Sequence, residues 1–328
     1  MAIGSGLGSQ LGIAAESTYG TFVAPTKFLE FTQESIKEKK TTAQSQGMAS
    51  GRLVALSSRR VVTQREVQGS LEMEVTTKSM GSLLQALMGT TVTPVQQATS
   101  TAYKQTHALA DTAGKSLTIQ KGVPMTTGTV EDYSALGCKV TSAEFSCEVG
   151  GMLTASFEVD GKKMDTTQTL AAPSYPLMAP FHFGQMAVKT GAYGAETALD
   201  GIRKVSVKVE RPQAVDRFYA GASGYKAEPI SNDLVKISGS LEGDFVATTL
   251  VDLFSSDSAT SLVWEFVGDT IESTYTYTFR VKIPAIHIDD EPPAVGGPEV
   301  IRTTFQFTGL FDGTNPTAIE YISTDTTL

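Results

Sequence analysis

The residues that most often do chemistry in proteins are few and scattered in this chain. The three histidines, His107, His182 and His287, have no second metal ligand at the spacing that zinc sites use. The acidic run Asp289-Asp290-Glu291 offers oxygen ligands, but Pro292 and Pro293 follow it, which does not fit a calcium-binding EF-hand. We therefore predict structural roles for the histidines and no bound metal or cofactor.

Motifs of the common enzyme classes are also missing. The sequence has no Gly-x-Ser-x-Gly element, which is the usual sign of a hydrolase serine. Gly4, Gly6 and Gly8 have the wrong spacing for a dinucleotide-binding loop and follow no predicted strand. The interpretation is that the protein is not an enzyme.

The clearest pattern of ionisable residues lies in a predicted β-hairpin. Apolar residues alternate with polar ones from Ala143 to Val149 and from Leu153 to Val159, and Gly150-Gly151 predicts a two-residue turn between the strands. The polar side of the hairpin includes Ser142, Glu144, Ser146, Glu148, Ser156, Glu158 and Asp160. An acidic face opposite a packed core suits the wall of a channel that repels phosphate.

A second charged segment is basic. Between residues 37 and 65 the only acid is Glu38, whereas the basic residues are Lys37, Lys39, Lys40, Arg52, Arg59, Arg60 and Arg65. The middle of the segment, residues 41–51, has no periodicity and is typical of a long loop. We predict that the whole loop from Lys37 to Arg60 leaves its own domain and contacts acidic partners, for which residues 289–291 are one candidate set; a solvated loop is the alternative.

The elements that must position these residues occur twice. Gly69-Ser70-Leu71-Glu72 recurs as Gly239-Ser240-Leu241-Glu242, each within a run of alternating apolar residues that predicts a half-buried strand. After each strand, apolar residues at helical spacing predict a short helix. Residues 35–39 and 206–210 also resemble each other in pattern. A repeat this long predicts two duplicated domains.

The chain of 328 residues suits two domains of about 150 to 170 residues. We predict an N-terminal arm at residues 1–27 that contributes no core element, a first domain at 28–165, a Pro-rich linker at 166–180 and a second domain at 181–328. In the second domain, residues 211–232 take the place of the first domain's long loop. A final hairpin pairs residues 275–283 with 301–307, and its outward face carries Arg280, Lys282 and Arg302.

Composition and charge narrow the class of protein. Hydrophobic residues make up 41% of the chain and charged residues 19%, with 30 glycines, which is typical of a globular and β-rich protein. The net charge of −9 argues against a general nucleic-acid binder. No apolar run predicts a membrane span and no signal peptide is evident, so we expect folding in the cytosol. Cys138 and Cys147 do not imply a disulfide framework.

Three stretches resemble the major tail tube proteins of long-tailed bacteriophages. These are residues 8–21 followed by Pro25, the Val67–Leu87 strand and helix, and the stretch from Phe218-Tyr219-Ala220-Gly221 to Gly239-Ser240-Leu241-Glu242. The resemblance implies a mainly β protein with two tandem tail-tube-type β-sandwich or split-barrel domains, each with one short flanking α-helix and a long β-hairpin. In such proteins six domains close a ring around a continuous β-barrel, and stacked rings form a tube that conducts DNA.

The resemblance and the duplication together set the functional expectations. Three chains carry six domains, so we predict a homotrimeric, pseudo-hexameric ring whose lumen is lined by the acidic hairpin face. The loop from Lys37 to Arg60 is predicted to dock on the neighbouring ring. The expected partners are further copies of the chain, other tail proteins such as the tape measure and tail terminator, and DNA passing without specific binding. The expected location is the virion tail, assembled in the host cytoplasm. A tail-tip or receptor- or carbohydrate-binding β-sandwich is the alternative, for which Phe218, Tyr219 and Tyr225 are the nearest approach to an exposed aromatic cluster.

Overall fold

The computed structural model describes residues 3–246, 248–290, 297–298 and 300–328. Short 3-10 helices lie at Ser57–Arg59 and Phe183–Gln185. The α-helices of the described residues are α1 (Gly81–Met88) and α2 (Thr249–Ser256). The strands are β1 (Gln10–Ala15), β2 (Lys27–Phe28), β3 (Gln33–Glu34), β4 (Lys37–Gln44), β5 (Arg60–Glu74), β6 (Val95–Gln96), β7 (Tyr103–Ala108), β8 (Leu117–Pro124), β9 (Val130–Glu148), β10 (Thr154–Gly161), β11 (Lys163–Asp165), β12 (Met186–Gly191), β13 (Thr197–Ala198), β14 (Ile202–Glu210), β15 (Lys236–Asp244), β16 (Thr260–Glu272), β17 (Tyr275–Ile288), β18 (Arg302–Leu310) and β19 (Ala318–Ser323). The protein is therefore mainly β, as predicted.

Seven antiparallel strands form a continuous sheet that runs through both halves of the chain, of which the first half carries β1 to β11 and the second half β12 to β19. Their order across the sheet is β4, β5, β10, β9, β14, β15 and β18. We call this the wall sheet. The link between the halves is the pairing of β9 with β14, in which Ser142 to Glu148 lie opposite Glu210 to Lys204. One face of the sheet is apolar and buried, and the other face is polar.

The buried face of the wall sheet is set by the predicted alternation. On β5, Val67, Leu71 and Met73 are buried, and Phe145 and Phe157 on the neighbouring hairpin are fully buried with their rings 5.8 Å apart, edge to face. Each such side chain stabilises the fold by about 2 to 3 kcal/mol when it leaves water. This apolar face therefore fixes the register of the strands and leaves the alternate residues on the opposite side.

The strand that contains each repeated four-residue motif and the helix that follows the strand are present as predicted. Gly69 and Gly239 occupy corresponding places where the next strand comes very close. A Cβ atom on Gly69 would lie 2.6 Å from the backbone of Ile36, and one on Gly239 would lie 2.2 Å from the carbonyl oxygen of Ser206. Beside these glycines, the Ser35 and Ser70 hydroxyls are 3.0 Å apart, and those of Ser206 and Ser240 are 2.9 Å apart. The packing next to the motif is therefore the same in both halves.

The first 27 residues contribute to the core, so the interpretation of this segment as an arm without core elements was wrong. Strand β1 pairs along its whole length with β8, and Leu11 and Ile13 are fully buried. Glu16 is also buried, and its carboxylate accepts hydrogen bonds from Ser116, Thr118 and the backbone of Gly137. The sequence pattern was too short to reveal a strand whose polar neighbours are satisfied by a distant partner.

The acidic hairpin is present, but its turn is longer than predicted. The strand pairing ends at Ser146 and Thr154, and a turn closes from Glu148 to Gly151, where the Gly151 N–H donates to the Glu148 carbonyl at 2.9 Å. Val149 points outward and is about half exposed (48%), so its predicted inward position was wrong. The Val149 N–H instead donates to the carbonyl of Arg203 in the second half. The end of the hairpin is thus shaped by its junction with β14.

The final hairpin of the chain also differs from the prediction. Strand β17 turns back on β16, and its middle pairs with β19, so residues 275–283 do not pair with 301–307. It meets β18 only through residues Ala285 to Ile288, which lie opposite Leu310 to Phe307. The alternation of both strands was correct, but alternation alone does not identify the partner strand. Glu291, one of the predicted acidic partners, lies outside the described residues.

Candidate functional site

The polar face of the wall sheet is the candidate functional surface, because it is the only predicted site that the fold assembles from several strands of the described chain. Its residues form rows that cross the sheet from strand to strand. One row is Glu72, Ser156, Glu144, Lys208, Ser238 and Thr308; the next is Glu74, Thr154, Ser146, Ser206, Ser240 and Gln306. The first row carries charges of both signs, whereas in the second row Glu74 is the one charged residue and the others are hydroxyl and amide groups.

The predicted acidic residues lie on this face with one exception. Glu144, Glu148 and Glu158 are exposed, and Ser142, Ser146 and Ser156 are half-buried between them. Glu72 and Glu74 of β5 extend the acidic area beside the hairpin. In the first half of the sheet, carboxylates therefore dominate the solvent-facing side.

Asp160 is the exception, and its predicted exposure was wrong. Its side chain is buried, and Oδ2 accepts a hydrogen bond from Lys226 Nζ at 2.6 Å, while Lys226 is also 3.3 Å from Glu66. Burial raises the pKa of Asp160, and the hydrogen bond and charge of Lys226 oppose that rise. Asp160 therefore belongs to a buried ion pair and contributes nothing to the exposed acidic surface.

Residues 211–235, which we call the strap, bring Lys226 to this position. The strap connects β14 to β15 in the second half but packs on the first half. The Arg65 N–H donates to the Gly224 carbonyl at 2.9 Å, and Glu228 pairs with the buried Lys139 at 2.6 Å. Burial lowers the pKa of Lys139, and Glu228 opposes this effect. The predicted long loop of the second domain is thus the strap, which holds the two halves of the chain together.

Strand β14 contributes charged residues to the face that the sequence interpretation missed. Lys208 lies opposite Glu144, and Lys204 lies opposite Glu148 with its Nζ 3.3 Å from the carboxylate. The strict alternation of residues 204–210 indicated a strand with these lysines on one side. Its partner was not evident, because pairing between β9 and β14 depends on how the two halves meet.

The basic residues of the second predicted hairpin are mostly away from this face. Arg280 and Lys282 lie where β17 pairs with β16 and β19, and they bind Glu320 at 2.9 and 3.1 Å. Burial alone raises the pKa of Glu320, but the hydrogen bonds of Lys104 and Lys282 outweigh it and hold the pKa at about 2. On β18, Arg302 does reach the wall sheet, where it lies 3.4 Å from Asp244.

The basic segment divides into a strand and a loop. Lys37, Lys39 and Lys40 lie on β4, so their assignment to a loop was wrong, and their side chains are exposed at the edge of the wall sheet. Arg52, Arg59 and Arg60 lie on or next to the loop between β4 and β5 and are exposed as well. The loop also exposes Met48 and Leu53 completely. The lysines of β4 therefore lie at the edge of a sheet, whereas Arg52 and the exposed apolar residues lie on a loop.

The histidines do not meet. His107 is fully buried, its Nε2 is 3.1 Å from Gln105 Oε1, and burial lowers its pKa to about 4. His182 accepts a hydrogen bond from the Gly184 N–H, and His287 Nδ1 is 3.0 Å from Asp257 Oδ1. In the described part of the chain, no three His, Cys, Asp or Glu side chains are grouped as metal ligands. Cys138 and Cys147 are free and buried.

The phage tail tube protein family matches residues 6–309, which is nearly the whole chain. The chain belongs to this family. No curated protein matches it. This tail tube protein is a structural component of a phage tail, and the resemblance in the opening, the strand-helix unit and the stretch before the second repeated motif was correct at that level. No helix in the described ranges is long and apolar enough to span a membrane.

Proposed function

We propose that three copies of this tail tube protein close a ring, that the polar face of the wall sheet lines the lumen, and that rings stack into a tube through which DNA passes. The observation that carries the proposal is the continuous sheet across β9 and β14. This sheet joins two corresponding units side by side within one chain. A closed barrel made of such units has no unpaired edge, which would otherwise expose strands to aggregation.

The correspondence between the halves supports a duplicated unit. The Ser35–Ser70 and Ser206–Ser240 contacts place β4 on β5 as β14 lies on β15. One chain thus carries two units, and three chains supply the six that the resemblance implies. Closure by rotation then gives a cyclic ring with pseudo-sixfold symmetry.

The charge of the polar face supports passage of DNA without binding. The exposed carboxylates of Glu144, Glu148 and Glu158 repel phosphate, and the lysines opposite two of them are partly neutralised by those same carboxylates. A lumen of this kind lets the duplex slide, whereas a row of unpaired lysines would hold it.

The loop between β4 and β5 is the candidate contact between stacked rings. Its exposed Met48, Leu53 and Val54 are apolar, and Arg52 and Arg59 are basic, which suits a surface that becomes buried on assembly. Other tail proteins cap the two ends of the tube. If removal of residues 46–54 left tube length unchanged, this loop would have no role in stacking.

Electron microscopy and native mass spectrometry of the purified protein test the proposal directly. We expect rings of three chains and, at higher concentration, stacked rings with a central channel. A ring of six chains would contradict the stoichiometry. Separate particles without a channel would favour the alternative of a binding module.

The structure gives this alternative little support, because Tyr219 is stacked under Arg217 within the strap and forms no aromatic cluster with Phe218.

A further inference from the structure

Strand β4 forms one edge of the wall sheet, and the junction between the two halves of the chain shows how a strand of this kind binds its neighbour. At that junction, β14 pairs with β9, and the next residue, Arg211, reaches helix α1. Arg211 is 4% exposed, and its Nη1 donates to the carbonyls of Leu87 and Met88 at 2.7 and 2.9 Å. The C-terminal end of a helix carries partial negative charge, so a cation there is stabilising.

Strand β4 corresponds to β14 by geometry. Each of these strands lies next to the strand that carries the repeated four-residue motif, and in each half a serine just before or within it contacts the serine of that motif. Counting from Ser35 and Ser206, Lys39 occupies the position of Glu210, and Lys40 occupies the position of Arg211. The two strands therefore present the same backbone edge with different side chains.

The outer edge of β4 has no partner strand in the described part of the chain, whereas β14 is paired on both sides. Nearly all residues of β4 are exposed, and charged residues fill it. Glu38 points toward the side where β14 has the buried Val209, and it binds Arg65 and Lys40. Charges of this kind keep a free edge from pairing with the wrong strand.

The second half of the chain has a surface, which we call the receptor, that corresponds to the one that binds β14 in the first half. No strand of the described residues is bound to this surface. The C-cap residue that follows helix α2 is Asp257, whose side chain is 91% exposed and lies 3.0 Å from His287 Nδ1. A carboxylate at the negative end of a helix is unfavourable unless a cation joins it. Asp289 is also exposed, and its N–H donates to the Gln306 carbonyl at 2.9 Å. This places Asp289 beside β18 as Ser142, the partner of Glu210, lies beside β10.

We propose that β4 of one copy docks on the second half of another copy, with Lys39 opposite Asp289 and Lys40 at the C-terminal end of α2 beside Asp257. The occupant is a second copy of this chain because β4 repeats the geometry of β14 and supplies the cations that the receptor lacks. The inference rests on the proposed ring and names the surfaces that close it. Donor and receptor are different surfaces, so the contact is head to tail and forms rings rather than two-fold dimers.

Cross-linking tests the pairing. Lys39→Cys and Asp289→Cys are made in separate chains and mixed under mild oxidation; opposed residues of antiparallel strands lie about 4.5 to 5.5 Å apart at Cα, within disulfide range. We expect a disulfide-linked pair that contains one chain of each kind. Native Cys138 and Cys147 are almost completely buried and do not interfere. As a matched control, Ser142→Cys with Glu210→Cys in one chain forms the corresponding cross-link within the molecule.

The outcomes separate this inference from the proposed function. Rings that form without any mixed cross-link, while the control forms its own, overturn the docking and leave the ring in place. Linked pairs of two Lys39→Cys chains would also overturn it. If no ring forms under any condition, the proposed function itself fails.

Charge reversal tests the contact at the helix end. We expect Lys40→Glu to weaken ring formation roughly tenfold, because it places a carboxylate against Asp257. Lys40→Arg retains assembly, and Asp257→Lys restores it in the Lys40→Glu background. Unchanged assembly of the Lys40→Glu protein, or failure of the double variant to recover, contradicts the placement of Lys40.

Discussion

The two helices of this protein have corresponding positions but very different surroundings. In α1 nearly every residue is buried, and Arg211 from the second half caps its C-terminal end. In α2 only Leu250 is buried, and the same end is an exposed carboxylate. The difference shows that the second half of the chain covers the helix of the first, whereas α2 is exposed; in the proposed ring another copy covers it. The internal junction therefore serves as a reference for every substitution that separates folding from assembly.

The largest effect is expected at the internal junction itself. Val207 is buried on β14 opposite Phe145, so Val207→Asp places an unpaired charge in the core that joins the halves. We expect a loss of about 4 kcal/mol or more in the free energy of unfolding. Thermal and urea unfolding of the monomer measure this loss. Val62→Asp, at an exposed position on a strand of the same sheet, is the control, and equal losses for both would show that the junction is not a core.

The ion pair that joins the strap to the first half should give the next largest effect on the free energy of unfolding. Lys226→Met leaves the buried Asp160 carboxylate without its cation, which costs about 3 kcal/mol near neutral pH. Because burial raises the pKa of Asp160, the loss should shrink as the pH falls and the carboxyl group takes up a proton. The control is Lys208→Met. The side chains of Lys208 and its partner Glu210 are both partly exposed, so this substitution should cost less than about 1 kcal/mol. A pH-independent loss for Lys226→Met would contradict the buried carboxylate.

The buried His107 should make the stability of the fold depend on pH in the acid range. The folded-state pKa of His107, about 4, lies below the usual histidine pKa of 6.5, so the unfolded chain binds more protons between these values. Stability is therefore full above pH 6.5 and falls by on the order of 3 kcal/mol as the pH approaches 4. We expect His107→Gln to flatten the unfolding free energy across this window. A pH profile that keeps its slope in the His107→Gln variant would contradict the burial of His107.

The smallest effect on folding is expected on the polar face. Replacing Glu144, Glu148 and Glu158 together with lysine should change the unfolding free energy by only about 1 kcal/mol, because all three are exposed. Tubes should assemble, but DNA should pass more slowly, since the wall then attracts phosphate. Replacing the same residues with glutamine is the control that removes charge without reversing it. Ejection at the normal rate in the lysine variant would show that this face does not line the channel.

Local patterns predicted the local structure well. The alternation around Leu71 and Leu241 and the helical spacing from Met80 to Leu87 were sufficient to place the strands and helices, because each is set by neighbours in sequence. The acidic face was predicted for the same reason. These features depend on which side of one element meets the core.

Features that depend on distant partners were not predictable. The burial of Asp160 requires Lys226, and the burial of Leu11 and Ile13 requires β8, more than a hundred residues away. The partner of β17 was wrong because several strands share its alternation. In the candidate site, the lysines of β14 were missed since nothing local indicates that one half of the chain pairs with the other.

The pairing of β9 with β14 also affects how the protein is made. Residues 142–148 leave the ribosome about 60 residues before their partners, which at ~10 residues per second is a wait on the order of 6 s. During this time the edge of β9 is open to any strand of similar pattern on a neighbouring nascent chain. Once β14 emerges, its tether gives it a local concentration in the millimolar range, far above that of any other chain. The tether, and not the order of synthesis, therefore favours the chain's own junction over pairing with a strand of another chain.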